Sequence, residues 1–239
     1  MTTTTTSINW RALSNEELAG YIQYTNVRPE ATRDDIIKHL ETCARYKFNA
    51  AMVQMCWVPL AKDVLRGTGV KVATCIGLPM GGESLHAKIM LIRECCALGA
   101  DEVDYEPNMG LYLSGLYDEF REEAAALVRA AEGRPIKCML EFGFLKTEED
   151  KRRAARLIDE GGVHWIKQSS GWGAGGIPAT AEDIRLLRET VSPRCKVKAS
   201  GKVNSYERAI EMFEAGAEMI GTSTAPHIID RTQGPWEHY

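Results

Sequence analysis

What most constrains this chain is a rhythm. From about residue 20 onward, short β-branched or apolar runs alternate with longer amphipathic stretches, and the alternation repeats eight times. Strands are expected at 21–26, 50–55, 71–77, 102–107, 136–141, 164–169, 196–200 and 219–224. Helical spacing of apolar residues fills 33–46, 84–98, 111–131, 147–160, 180–190 and 205–215. "TEED" at 147 and "TAED" at 180 supply a capping hydroxyl followed by acidic residues, which suit the exposed N–H groups of a helix start. Gly99, Gly133, Gly161 and Gly216 stand where helices should stop. With no Pro/Ser-rich linker or break in composition, the pattern is that of α/β structure in a single parallel (β/α)8 TIM barrel. A doubly wound open sheet is the alternative, but it would want a G-x-G-x-x-G turn after an early strand, and "GLPMGG" at 77 lacks that spacing. The expected organisation is a disordered N-terminal tail over 1–8, which includes five consecutive threonines, and one catalytic barrel over 9–239.

Composition narrows the function classes. Across 239 residues, 29 Lys and Arg face 33 Asp and Glu for a net charge of −4, so no global basic field favours nucleic acid or an anionic membrane. Any anion site must be local. The seven cysteines form no C-x-x-C pair, and without a secretory signal they read as reduced thiols of a cytoplasmic protein. No apolar run approaches the roughly 18 residues that span a bilayer.

In a barrel of this kind, active sites form at the C-terminal ends of the strands. Those ends carry Asp104, Glu106 and Asn108 after the fourth strand, Glu141 after the fifth, Lys167 with Ser169, Ser170 and Gly171 on the sixth, Lys198, Ser200 and Gly201 on the seventh, and Gly221 to Thr224 on the eighth. A lysine inside a barrel strand has nowhere cheap to put its charge. One such lysine is equally well explained by a carboxylate partner or by snorkelling to a rim. Two on adjacent strands, Lys167 in "HWIKQSSG" and Lys198 in "KVKASG", are harder to dismiss. If both point inward, each ammonium disfavours the other's charge and burial disfavours both. Moving a lysine from about 10.4 to near 7 takes roughly 5 kcal/mol, at about 1.4 kcal/mol per unit. The neutral amine is then a nucleophile, able to form a Schiff base with a carbonyl and to serve as an electron sink for making or breaking a carbon–carbon bond. That chemistry needs a carboxylate for proton transfer, and Asp104 meets the need. Strand alternation places Glu102, Asp104 and Glu106 on one face, so Glu106 lies about 7 Å further toward the mouth, either as a solvated rim residue or facing the cavity.

The segments "GTGVKVATCIGLPMG" at 67, "LGADEVDYEPNMG" at 98, "HWIKQSSGWGAGG" at 164, "RETVSPRCKVKASG" at 188 and "AGAEMIGTST" at 215 resemble deoxyribose-phosphate aldolase, and the likeness runs from about residue 28 to 224. The resemblance implies a metal-free, cofactor-free barrel that cleaves 2-deoxyribose 5-phosphate to acetaldehyde and glyceraldehyde 3-phosphate. It implies Lys167 as the Schiff-base lysine, Lys198 as the second lysine that lowers its pKa, and Asp104 as the proton-relay aspartate. Tyr239 matches a C-terminal tyrosine that assists proton transfer in some members, though a terminal tyrosine can equally be a frayed tail. The phosphate would be held by the glycine-rich loops of the last three strands, here Ser170, Gly171, Gly201, Lys202, Gly221, Thr222 and Ser223. Barrels of this kind are commonly dimers, so a homodimer is expected. The five histidines show neither H-x-H nor H-x-x-x-H spacing, which argues against a zinc-dependent aldolase.

Four positions depart from the family pattern. Gln23 stands where a first-strand aspartate is usual, Gln54 replaces an asparagine, Phe142 a threonine, and Lys202 the second glycine of a pair. All four are expected to line the mouth, leaving the chemistry intact and the substrate pocket altered. Lys202 either adds a point charge for phosphate or fills the space and serves another group. "SGWGAGG" at 170, with Trp172 inside it, is either a mobile lid or substrate wall, or an ordinary strand-to-helix loop. The alternatives to the phosphorylated substrate are the same aldol chemistry on a non-phosphorylated or differently charged one, or a catalytically silent barrel that binds a sugar phosphate.

Overall fold

The computed structural model describes residues 8–235, so Tyr239 and nearly all of the expected tail lie outside it. Among the described residues eight strands close into one barrel in sequence order, every neighbouring pair parallel. They are β1 (Ile22–Asn26), β2 (Ala50–Val53), β3 (Lys71–Ile76), β4 (Glu102–Tyr105), β5 (Ile136–Met139), β6 (Trp165–Lys167), β7 (Lys196–Ser200) and β8 (Met219–Thr222). Each expected strand is present, most of them a residue or two shorter at the C-terminal end, where the chain leaves the ladder to build the mouth.

Helices lie between the strands and pack on the outside of the barrel. Thr147 and Thr180 cap theirs as expected, each hydroxyl accepting the N–H three residues on at 3.1 Å. The helical pattern over 111–131 is not one helix but two, Met109–Leu113 and Tyr117–Ala130, because Gly115 between them adopts a φ of 76° that breaks the run. Gly161 also differs from the expected left-handed stop. Its φ is −66°, and it is small because a Cβ there would meet Ala124 at 2.6 Å; the left-handed residue is Gly162.

Strand alternation separates two apolar regions. Outward residues such as Ile22, Val53, Val72, Val103, Cys138, Ile166, Val197 and Ile220 pack against the helices in one large core. A second, smaller cluster of Val27, Ala50, Met52 and Ala73, with Cys75, Leu78 and Trp172 against it, lies on the inner side of β1 to β3. The inner side of β4 to β7 is built of charged groups instead.

Candidate active site

Register brings the charges together. The parallel pairing of β6 with β7 puts Lys167 beside Lys198, and that of β4 with β5 puts Asp104 beside Lys137. All four side chains turn inward. Asp104 Oδ1 accepts from Lys137 Nζ at 2.9 Å, while Oδ2 accepts from both Lys167 Nζ and Lys198 Nζ at 3.2 Å. Lys137 also lies 2.8 Å from Glu102, whose other oxygen takes Lys71 at 3.0 Å. The exposures of Lys137, Lys167 and Lys198 are 0%, 6% and 1%, so Lys167 is the most open of the three.

Burial and neighbouring charge oppose one another here, and the balance differs from group to group. For Asp104, burial pushes the carboxyl up, but Lys137, Lys198 and Lys167 together hold it well below the usual carboxylate range. Glu102 is likewise brought down to about 2 by Lys137 and Lys71 against its burial. Lys137 is held charged, because Asp104 and Glu102 outweigh the cost of burying it. Lys198 goes the other way: burial, with Lys167 and Lys137 adding to it, brings its ammonium down to about 7 despite Asp104. The lysine brought down is thus the more deeply buried of the pair on adjacent strands. Gly221 makes room for it, since a Cβ there would sit 2.8 Å from Lys198 Cε.

Above this floor opens a cavity of about 310 Å3, within the size range of small-metabolite sites. Asp104, Lys167, Lys198, Ser170, Gly171, Gly201, Lys202, Gly221, Thr222 and Ser223 all line it, so ten of the eleven residues to which the family resemblance assigns a role meet at one place. The eleventh, Tyr239, lies outside the described residues. The opposite wall is apolar, made by Val27, Met52, Cys75, Leu78 and Trp172. Ser170, Gly171, Trp172, Gly173 and Gly176 of "SGWGAGG" line this cavity. The segment's amides are largely committed: Ser170 N donates to Glu141 Oε1 at 2.5 Å, Gly171 N to Ser169 Oγ at 2.9 Å and Trp172 N to Ser170 Oγ at 3.0 Å.

Three of the four family departures do not line the cavity. Gln23 is fully buried at the barrel floor, its Oε1 accepting from Lys198 Nζ at 2.6 Å. Phe142 faces away from the cavity and packs beneath Lys151, whose ammonium lies 5.0 Å from its ring. Gln54 is half-buried and donates to Val27 O at 2.8 Å, and Lys202 lines the cavity with a φ of 54°, a conformation that suits the glycine it replaces. Glu106 is not a solvated rim residue. It is 2% exposed and faces Glu141; burial first, and then Glu141, push its carboxyl up to about 10.

Lys137 is not among the residues expected from the sequence, yet it carries the same signal as Lys167 and Lys198, a lysine inside an expected strand. Among the described residues no cluster of His, Cys, Asp and Glu has the arrangement to hold a metal ion, and no helix is long and apolar enough to cross a membrane.

Known proteins resemble this chain over nearly its whole length. It is 40% identical over 222 residues to the deoxyribose-phosphate aldolase of Thermococcus kodakarensis, covering 91% of this chain and 98% of that one. With the Streptococcus sanguinis deoxyribose-phosphate aldolase the identity is 38% over 213 residues, covering 89% and 96%. Among solved structures, the deoxyribose phosphate aldolase of Aeropyrum pernix, described as tetrameric, superposes with a TM-score of 0.83 at 25% identity and covers 91% of each chain. No family model matches.

Proposed function

This chain belongs to the deoxyribose-phosphate aldolase family, and from that premise we propose that it cleaves 2-deoxyribose 5-phosphate to acetaldehyde and glyceraldehyde 3-phosphate through a Schiff base on Lys167. The observation that carries the reading is the single carboxylate oxygen, Asp104 Oδ2, in contact with both Lys167 and Lys198 at the floor of a cavity. Lys167 is the more open amine and faces the substrate. Lys198, near the midpoint of its titration at neutral pH, relieves Lys167 of a proton.

The free amine of Lys167 attacks C1 of the open-chain aldehyde, and the carbinolamine loses water to become a protonated imine. Removal of the proton from the C3 hydroxyl breaks the C2–C3 bond. Its electron pair moves into the imine, giving an enamine, and glyceraldehyde 3-phosphate leaves. Protonation of the enamine at C2 and addition of water release acetaldehyde and restore the amine. Asp104, fixed by three lysines, aligns the groups that pass these protons. The apolar wall of Val27, Met52, Leu78 and Trp172 keeps bulk water off the enamine.

For the phosphate, the committed amides of the β6 loop leave the Gly201–Lys202 and Gly221–Ser223 edges as the better donors, with Lys202 as a point charge. A second reading, the same chemistry on a non-phosphorylated substrate, is favoured by that same commitment of amides. Purified protein should release acetaldehyde and glyceraldehyde 3-phosphate from deoxyribose 5-phosphate. Its kcat/KM for deoxyribose 5-phosphate over deoxyribose should fall in Lys202→Gly by about 10-fold or more, the loss of one charged hydrogen bond. No release of either product sinks the activity. A ratio near one in both proteins sinks the phosphate assignment and leaves the second reading. The seven free cysteines support a cytoplasmic location, and exposed apolar side chains such as Leu113 and Leu116 support a homodimer of the single catalytic domain spanning 9–239.

A further inference from the structure

The loop that follows Lys167 rests on one buried side chain from the neighbouring strand's end. Glu141, just past β5, is 1% exposed; its Oε1 accepts from Ser170 N at 2.5 Å and its Oε2 from Ser169 Oγ at 3.3 Å. Ser169 Oγ already accepts from Gly171 N and Ile177 N, both at 2.9 Å, so its own hydrogen is left to donate, and Glu141 is the acceptor it faces. A single carboxyl group thus fixes both ends of the segment 169–177, directly at Ser170 and through Ser169 at Gly171 and Ile177.

The backbone at Glu141 is held as firmly. Leu140 N donates to Lys167 O at 2.9 Å and Phe142 N to Gln168 O at 2.8 Å, which ties both chain neighbours of Glu141 to the strand that carries Lys167. Glu141 itself has a φ of 46°, a conformation uncommon for a glutamate that persists only where the surroundings fix it. Gly175 packs so closely over it that a Cβ there would lie 2.8 Å from Glu141 Cβ. Burial pushes the Glu141 carboxyl up, while Ser170 and Lys167 draw it down. Glu106, at the end of β4, faces it and keeps its own proton up to about 10, so it adds no negative charge there at neutral pH.

We infer that Glu141 is a positioning residue for the reaction: it anchors the segment 169–177 as a standing wall of the cavity, so that the site is shaped before substrate arrives. Ser170, Gly171, Trp172, Gly173 and Gly176 of that segment line the cavity, whereas Glu141 lies behind them. Without the anchor, fewer molecules have the wall in place. Substrate affinity falls with that fraction, and the chemistry of the bound complex does not change. Asp104, Lys167 and Lys198 are held by the strand ladders instead. The inference rests on the Schiff-base reading above, since the affinity that the wall sets is that of the substrate joined to Lys167.

Glu141→Gln keeps the shape of the side chain but turns one acceptor oxygen into a donor, so either Ser170 N or the Ser169 hydroxyl is left without an acceptor. On the full chain, KM for deoxyribose 5-phosphate should rise about 10-fold, the effect of one buried group left unpaired. The kcat should stay within about threefold of wild type, and so should the rate of borohydride trapping of acetaldehyde, a donor too small to need the wall. Ser169→Ala should raise KM in the same direction, and the double variant by less than the product of the two single effects, because both cut one chain of hydrogen bonds. A KM near wild type in Glu141→Gln overturns the inference. So does a parallel loss of kcat and trapping, which a general loosening of the barrel would give, and so do single effects that multiply. Should Glu141→Gln not fold, the KM-against-kcat split in Ser169→Ala decides alone. If the wild type neither cleaves deoxyribose 5-phosphate nor is modified by acetaldehyde, the Schiff-base reading fails, and the wall is then followed by the fluorine NMR signal of Trp172 in protein labelled with fluorotryptophan. A shift of that signal in Glu141→Gln supports the anchoring, and an unmoved signal overturns it.

Discussion

Asp104 in β4 and Glu106 just past its end stand two residues apart, and the barrel drives them in opposite directions. Burial raises the carboxyl pKa of both. Asp104 meets three lysine side chains and stays ionised; Glu106 meets another carboxyl, Glu141, and Lys167 and Lys88 are too weakly placed to compensate, so it keeps its proton up to about 10. Neighbours, not depth, decide the state of a buried acid. The two sites therefore do different work. The ionised one organises amines. The protonated one faces Glu141, whose oxygens hold Ser170 N and Ser169 Oγ and so shape the cavity wall.

The largest test of that division is Asp104→Asn. Proton transfer through Asp104 should be lost, lowering kcat by about 10²–10⁴, with a much smaller effect on adduct formation. Three lysines would also lose their shared carboxylate, so urea unfolding should show a loss of about 3–5 kcal/mol, the usual result of breaking a buried charge pair. A kcat within a few-fold of wild type would remove Asp104 from the chemistry.

The smaller test is Glu106→Gln, which keeps a hydrogen-bond donor toward Glu141 and removes the proton that must be held. In the unfolded chain a glutamate ionises near pH 4.5, whereas in the folded chain Glu106 holds its proton to about 10. Between those values the unfolded state binds fewer protons, so this group destabilises the fold progressively as pH rises, with the full penalty reached above about 10. The variant should melt higher than wild type at pH 8, by a margin that closes toward pH 4.5, while kcat stays near wild type. A Tm difference that does not change with pH would contradict a protonated Glu106.

Periodicity made the barrel legible, because eight strands separated by amphipathic stretches leave few other closed arrangements. Lys167, Lys198 and Asp104 were legible for a different reason: charge inside a strand is costly and demands a partner. The same reasoning reaches Lys137, which alternation places on the inner face of β5. Depth was harder to read. Gln23 is the second residue of β1 and Phe142 lies past the end of β5, and periodicity says for neither what covers it; the structure puts one at the floor and the other behind the wall. Glu106 was assigned the right face, but its burial comes from the segment at Gly77 and Glu83 packing over it, a contact between distant parts of the chain. The helix over 111–131 hid its break because the apolar spacing runs on through Gly115, whose backbone freedom overrides it.

The central claim is that Lys167 carries the covalent chemistry while Lys198 and Asp104 serve it. Borohydride reduction in the presence of deoxyribose 5-phosphate, followed by peptide mass mapping, tests it most directly. The account predicts one irreversible adduct, on the peptide containing Lys167, with activity lost in proportion to its formation. An adduct on Lys198, or inactivation with no modified lysine, would contradict it.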